Sequence, residues 1–329
     1  MSSSSTSSSL IVGVAGGGLL GAGIAVQFAR QGYLTRVVDP DPEAAPRILA
    51  QATSILDELA GWGTLGAADR DNVTRCLSIH TELHALKDAG LVIEAIPEVL
   101  DVKHAFYREL EPLLGPDAII GSNTSGFTPQ TLATVLARPE RFLITHFWNA
   151  PHTVPLVEVV PSERTAPAVI EAVMACLTQI GNEPLLLRRA IPGFIGNRIQ
   201  YAALREALHI VAQGVASPQD VDRVVRATLG RRYPYAGPFA IADAGGLATF
   251  LSISSHLFPE LAGEHDSSGL ALLREVVEQG HRGQRSGEGF YRWSDDRLQR
   301  FAQARQRTLL VAANAESWDA PIAGDDTTA

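Results

Sequence analysis

Apolar and polar positions along the chain follow two rhythms. From Leu10 to Leu187, short apolar runs alternate with amphipathic stretches. The runs are Leu10 to Val14, Thr35 to Val38, Cys76 to His80, Leu91 to Ala95, Ala118 to Ile120, Phe142 to Ile144, Val154 to Val160 and Leu185 to Leu187. They read as strands covered on both faces, which need continuous apolar residues rather than alternation. Between them, Glu43 to Ala60, Lys103 to Leu114 and Ala166 to Ile180 read as helices, and Ala22 to Arg30 follows the first strand as another. Pro46 is tolerable only in a first turn, and Pro112 is expected to end its helix early. Strands alternating with helices predict an α/β fold with a parallel, doubly wound sheet. The rhythm changes at Ile191-Pro192-Gly193. Beyond it only helices are expected: Phe194 to Gln213, Pro218 to Leu229, Ile241 to Phe258, Leu270 to Gln279 and Asp296 to Asn314. The expected organisation is a disordered serine-rich start over 1–9, an α/β domain over 10–190, an all-α domain over 191–314 and a loose tail over 315–329.

Residues 10–29 carry no charge and are long enough to span a bilayer. Gly13, Gly16, Gly17, Gly18, Gly21 and Gly23 argue against that, because each glycine in a helix costs about 1 kcal/mol relative to alanine. No Lys or Arg precedes Arg30, as an export signal would require. The stretch instead divides into a strand followed by G-x-G-x-x-G at Gly16, Gly18 and Gly21. Such glycines permit a sharp turn, close approach of a pyrophosphate and tight packing of helix on strand. Backbone N–H groups at the start of the next helix, Leu19 and Leu20 among them, would face the phosphates. Asp39 ends the second strand where a carboxylate can hold ribose hydroxyls and repel a 2′-phosphate, so NAD rather than NADP is the expected cofactor. The alternative is that Asp39 caps a turn before Pro40.

At 329 residues and 46% hydrophobic, two domains are expected. A net charge of −9 disfavours nucleic acid and anionic membrane as partners. Cys76 and Cys176 are the only cysteines, which fits a reducing cytoplasm and argues against disulfides or structural zinc. The nine histidines are scattered, so no metal site is expected.

Three stretches place polar groups where apolar ones would bury more easily. Gly121-Ser122-Asn123-Thr124-Ser125 ends a strand, where doubly wound sheets bind ligands. Asn123 and Ser125 either touch a ligand there or form an ordinary turn. His146 closes the apolar strand that begins at Phe142, and Glu158 lies inside the apolar run Val154 to Val160. Burying that carboxylate alone would cost several kcal/mol, roughly, so it wants a partner, and His146 is the nearest candidate. A Glu accepting one imidazole proton fixes the tautomer and leaves the other nitrogen to take a proton from a hydroxyl. Spacing alone fits equally a core histidine with an edge-strand glutamate. Asn197, in the first turns of an apolar helix, either meets a substrate oxygen or ties that helix to the first domain.

In order from Leu10 to Trp293, the motifs GGGLLGAGIA, IEAIPE with a Lys five residues on, SNTS, HFWNAP, PLVEVVP, PGFIGNR, GPF-x-x-x-D and RSGEGFYRW resemble the 3-hydroxyacyl-CoA dehydrogenase family. The resemblance implies an NAD-binding Rossmann domain, a helical dimerisation domain and hence a homodimer. It implies His146 as base, Glu158 as its orienter, and Ser125 and Asn197 polarising the substrate oxygen. Glu98, Lys103, Ser125 and Asn149 match cofactor contacts, and Arg285 stands where the motif often has Lys. Members acting on CoA thioesters carry lysines and a serine in the helix after the second strand. Here Glu43 to Leu65 has no Lys, only Arg47, and carries Glu43, Asp57 and Glu58, a poor surface for a polyanion. NRIQYA, SPQDVD and LGRRYPYAGP are more similar to the free-acid branch, that of gulonate 3-dehydrogenase (lambda-crystallin) and carnitine dehydrogenase. SNTSGF and APHTVPLVEVV also resemble a pyridine-carboxylate dehydrogenase branch. An Arg that clamps the substrate carboxylate in the free-acid branch corresponds to Arg232. The expected activity is NAD-dependent oxidation of a 3-hydroxy group on a small free acid. The alternatives are a short-chain 3-hydroxybutyryl-CoA dehydrogenase, or a non-catalytic crystallin-like or NAD-sensing module.

Overall fold

The computed structural model describes residues 10–303 apart from 235 and 264–267. The expected disorder over 1–9, the part of the last helix beyond 303 and the tail over 315–329 lie outside the described residues. The chain divides into two compact units, the first ending at Asn197 and the second beginning at Arg198.

The first unit is built on eight strands: β1 (Val12–Ala15), β2 (Thr35–Val38), β3 (Leu77–His80), β4 (Leu91–Glu94), β5 (Ile119–Ser122), β6 (Phe142–Phe147), β7 (Leu156–Pro161) and β8 (Glu183–Leu186). They lie in the order β3-β2-β1-β4-β5-β6-β7-β8. Helices α1 (Leu19–Arg30), α2 (Ala44–Gly61), α3 (Asp69–Cys76), α4 (Leu100–Leu110), α5 (Pro129–Leu132) and α6 (Pro167–Gln179) connect them. The faces of the sheet are apolar on both sides. Leu91 and Ile93 of β4 join one core cluster with Val14, Ile24, Phe28 and Leu177, whereas Val92 between them joins a second with Tyr107, Leu110 and Phe142. That is the two-residue period of a strand buried on both faces. Helix α1 is buried continuously from Gly21 to Ala29, because all of these residues but Gln27 are apolar, and Gln27 donates to the Pro151 carbonyl.

One pairing departs from the expected parallel sheet. Strand β7 runs antiparallel to β6. Parallel neighbours need a crossover of about a dozen residues or more, usually helical. The link from Phe147 to Leu156 is a loop without a helix, so the chain can only turn back. The register then sets His146 directly opposite Glu158. Two further differences are local. Helix α3 occupies residues that show no apolar run, and α4 starts earlier than expected, with Pro112 confined to a following turn over Glu111–Leu113.

The second unit continues α7 (Gly196–Ala212) into α8 (Pro218–Ala227), α9 (Leu229–Arg232), α10 (Pro238–Gly245), α11 (Leu247–Leu257) and α12 (Ser268–Glu278). The single helix expected over 241–258 is broken at Gly246, whose φ of 88° leaves the helical region. Among the described residues no helix is long and apolar enough to cross a membrane.

Candidate active site

The turn after β1 carries three glycines with three different constraints. Gly16 has φ of 96°, and a Cβ there would stand 2.6 Å from the Ala95 carbonyl oxygen. A Cβ on Gly21 would stand 1.9 Å from the Gly16 oxygen, so the helix packs directly on the turn. Gly18 meets nothing within 4 Å, which leaves open space over the start of α1. Leu19, 62% exposed, and Leu20 form the first turn there, with free N–H groups. This is a cradle suited to a pyrophosphate. Asp39 closes it: its Oδ2 accepts the Gly17 N–H at 2.7 Å and its Oδ1 accepts the Asp41 N–H at 3.0 Å. The turn cap is therefore real, and the same carboxylate borders a groove with Asp41, Ile79, His80 and Glu82.

The carboxyl ends of β4 and β5 hold a buried polar cluster whose centre, Glu94, sequence reasoning missed. Glu94, the last residue of β4, is 0% exposed. Its Oε1 accepts from Lys103 Nζ at 2.6 Å and the Ile96 N–H at 2.9 Å. Its Oε2 accepts from the Tyr107 hydroxyl at 2.5 Å and the Ser122 hydroxyl at 2.7 Å. Burial and the Glu94 charge push the Tyr107 hydroxyl well up, so it stays a donor. Lys103 also lies 3.2 Å from Glu98 Oε2. Its ammonium faces inward, and Glu98 is the exposed member of the cluster. The signal was present in the sequence: an acid closing the apolar run Leu91 to Ala95 poses the question that His146 posed. Ser125 is exposed at the tip of the following turn, and Asn149 is exposed after β6. Asn123, for which a ligand contact and an ordinary turn were both open, is buried, its Oδ1 accepting the Phe147 N–H at 2.8 Å.

His146 and Glu158 come together: Nδ1 lies 2.8 Å from Oε2. Glu158 is 0% exposed and His146 6%. The second oxygen, Oε1, accepts the backbone N–H groups of Ile195 at 2.8 Å and Gly196 at 3.1 Å. Burial pushes the Glu158 carboxyl up, but hydrogen bonds from His146, Gly196 and Ile195 outweigh it and hold the group below its ordinary 4.5. Trp148 and Phe194 flank the imidazole, with ring centroids at 5.5 and 5.4 Å. Gly196 can have no side chain: a Cβ would stand 2.2 Å from the Trp148 ring. Asn197 follows at once in the first turn of α7, half-buried. Arg232 belongs to the second unit, half-buried at the end of α9. The side chain of Arg285 lies outside the described residues.

The lowered Glu158 carboxyl fixes an acid limb. Its stabilising contribution is present above about pH 4.5 and is lost as pH falls through the lowered value. Thermal unfolding followed by circular dichroism should show the melting temperature falling below that pH. In Glu158→Gln this part of the slope should disappear; an unchanged slope would mean that Glu158 does not carry it.

A doubly wound sheet with a glycine cradle at its first turn, and a histidine–carboxylate pair at a strand end, defines a nicotinamide-dependent oxidoreductase. The comparisons with known proteins give the family. Residues 11–190 match the NAD-binding domain of 3-hydroxyacyl-CoA dehydrogenase, and residues 193–293 its C-terminal domain. The chain belongs to the 3-hydroxyacyl-CoA dehydrogenase family, and it is an NAD-dependent oxidoreductase acting on CH–OH groups. It is 32% identical over 309 residues to 5-formyl-3-hydroxy-2-methylpyridine 4-carboxylate 5-dehydrogenase of Mesorhizobium japonicum, covering 91% of this chain and 96% of that one. It is 35% identical over 282 residues to a probable 3-hydroxybutyryl-CoA dehydrogenase of Bacillus subtilis, covering 86% of this chain and 96% of that one. A crystal structure of the pyridine carboxylate enzyme, described as an NAD+-dependent dismutase, superimposes with a TM-score of 0.85 at 30% identity over 93% of this chain and 99% of that one.

Proposed function

We propose that the protein oxidises a 3-hydroxy group on a small free carboxylic acid, with His146 as general base. The observation that carries this reading is the buried pair of His146 and Glu158. NAD, when bound, accepts the hydride from the hydroxyl carbon. The chain's own residues do the rest. Nδ1 is committed to Glu158, so the ring is held in one tautomer and Nε2 takes the hydroxyl proton. Glu158, held by three donors (imidazole, Ile195 N–H and Gly196 N–H), stays ionised and opposes the imidazolium that forms. Ser125 and Asn197 hold the substrate oxygen, and Trp148 and Phe194 keep water off the ring. Gly16, Gly18, Leu19, Leu20 and Gly21 receive the pyrophosphate and Asp39 the ribose. Glu98, Lys103, Ser125 and Asn149 are assigned to the nicotinamide half. Arg285 is proposed as a further cofactor contact.

Free acid is favoured over CoA thioester by the charge on α2. Its one cation, Arg47, is engaged by Asp41 at 3.0 Å. Glu58 is paired with His152 at 2.9 Å and Asp57 with Arg70 at 2.7 Å. No ammonium or free guanidinium on this helix awaits a polyphosphate. Arg232 is assigned to the substrate carboxylate. Exposed Phe239, Leu247, Leu251 and Phe258 on the second unit support a homodimer, and two buried free cysteines fit a cytoplasmic setting.

The test is a panel of hydroxy acids and aldehydes with NAD, set against acetoacetyl-CoA with NADH, read at the NADH absorbance. Turnover of a free acid is expected, with a Michaelis constant raised by Arg232→Ala. Clearly faster CoA turnover would assign the chain to the 3-hydroxybutyryl-CoA activity. NAD binding without turnover across the panel would assign it to the NAD-sensing, crystallin-like class.

A further inference from the structure

We infer that Glu94 is a positioning residue that presets Lys103, Glu98 and the turn over residues 122–126, acting on cofactor and substrate without touching either. The inference rests on the reading above for what Glu98 and Ser125 contact. It concerns a buried charge pair that the proton transfer does not use.

Every polar contact of Glu94 runs toward that end of the sheet. Two of its donors, Lys103 and Tyr107, come from α4. A third is the Ser122 hydroxyl, which in turn accepts the Thr124 N–H at 3.3 Å. The fourth is the Ile96 N–H, on the segment leading to Glu98. Lys103, 1% exposed, divides its ammonium between Glu94, the Ile96 carbonyl at 3.3 Å and Glu98 at 3.2 Å. Glu98 then reaches across to the turn, where Oε1 accepts the Thr124 hydroxyl and, at 3.0 Å, the Gly126 N–H. One connected set of hydrogen bonds thus links the end of β4, α4, the exposed Glu98 and the turn that presents Ser125. A buried ion pair is weak evidence for stability, since apolar replacement of both partners is often neutral or favourable. This pair earns its place by direction: it fixes where Glu98 points and which way the Ser122 hydroxyl donates.

The experiment compares Glu94→Gln with the double variant Glu94→Gln/Lys103→Met. In cofactor-free Glu94→Gln, amide exchange at Ile96, Thr124 and Gly126 should quicken about tenfold, while amides of β1 and β6 keep wild-type rates. The NAD dissociation constant measured by calorimetry should rise about tenfold, and the Michaelis constant for NAD should rise more than kcat falls. The double variant removes both charges and should regain melting temperature, yet Glu98 remains unheld and NAD affinity stays low. Wild-type exchange and affinity in Glu94→Gln, or recovery of wild-type NAD affinity in the double variant, overturns the inference. Should Glu94→Gln fail to fold, Thr124→Val cuts the same connection where Glu98 meets the turn. Faster Gly126 exchange with weaker NAD binding supports the inference, and the absence of either change overturns it. The exchange measurements are made without cofactor, so they decide the positioning role even if the assigned substrate chemistry fails.

Discussion

In His146→Ala, NADH formation is expected to fall by about 10²–10⁴-fold, the range general acid–base catalysis supplies, while NAD binds as in the wild type. The two effects separate because the imidazole lies at the end of β6 and the glycine cradle at the end of β1. Removing the ring leaves Glu158 with its two backbone donors from Ile195 and Gly196, so the carboxylate keeps part of its support. Some stability is lost with the buried partner, about 3–5 kcal/mol at the upper end. His146→Gln retains a polar atom beside Glu158 and should fold better, with the same loss of turnover. Kinetics with saturating substrate, together with calorimetric NAD binding, checks the prediction. Turnover near the wild-type rate in a folded His146→Gln would remove the base assigned here.

The second large effect is a contrast between two alanines three residues apart at the start of α1. Gly21→Ala places a methyl 1.9 Å from the Gly16 carbonyl oxygen, so the turn or α1 must shift. Overpacking of this kind costs about 1–3 kcal/mol, and NAD affinity should fall with melting temperature. Gly18→Ala meets no protein atom within 4 Å, and Gly18 has φ of −70°, which alanine adopts freely. Its melting temperature should not change. Its NAD dissociation constant should nonetheless rise about tenfold or more, because the methyl stands where the pyrophosphate approaches the backbone. Differential scanning fluorimetry with and without NAD separates the two variants. Unaltered NAD affinity in Gly18→Ala would place the phosphates elsewhere.

The α/β unit was readable in the sequence because strands covered on both faces are written as unbroken apolar runs, as Leu91-Val92-Ile93 and Phe142-Leu143-Ile144 are. The reversal of β7 was not, since direction depends on the connection and not on the strand itself. Helix α3 was missed because its residues, Asp69–Cys76, are mostly polar and bury only Asp69, Val73 and Cys76. Of the site, the glycines, Asp39, His146 and Glu158 announced themselves as residues out of place. The support behind them did not. Ile195 and Gly196 serve Glu158 through backbone N–H groups, which leave no trace in residue type. Glu94 gave a signal, but its side-chain partners lie on α4 and β5 rather than beside it in the chain. Arg232 was assigned to the substrate only through family resemblance, which also chose between the two readings open for Asn197.

The hairpin-like return of β7 has a consequence for how the chain tolerates changes in length. Base and acid are locked by a ladder whose side chains alternate between faces, so deleting one residue within β7 would send Glu158 to the opposite side of the sheet. The same deletion in the connecting segment at 148–155 leaves that alternation intact. Insertions and deletions near the substrate should therefore accumulate in the connector and be purged from the strands, a footprint that a library of single-codon deletions would reveal directly.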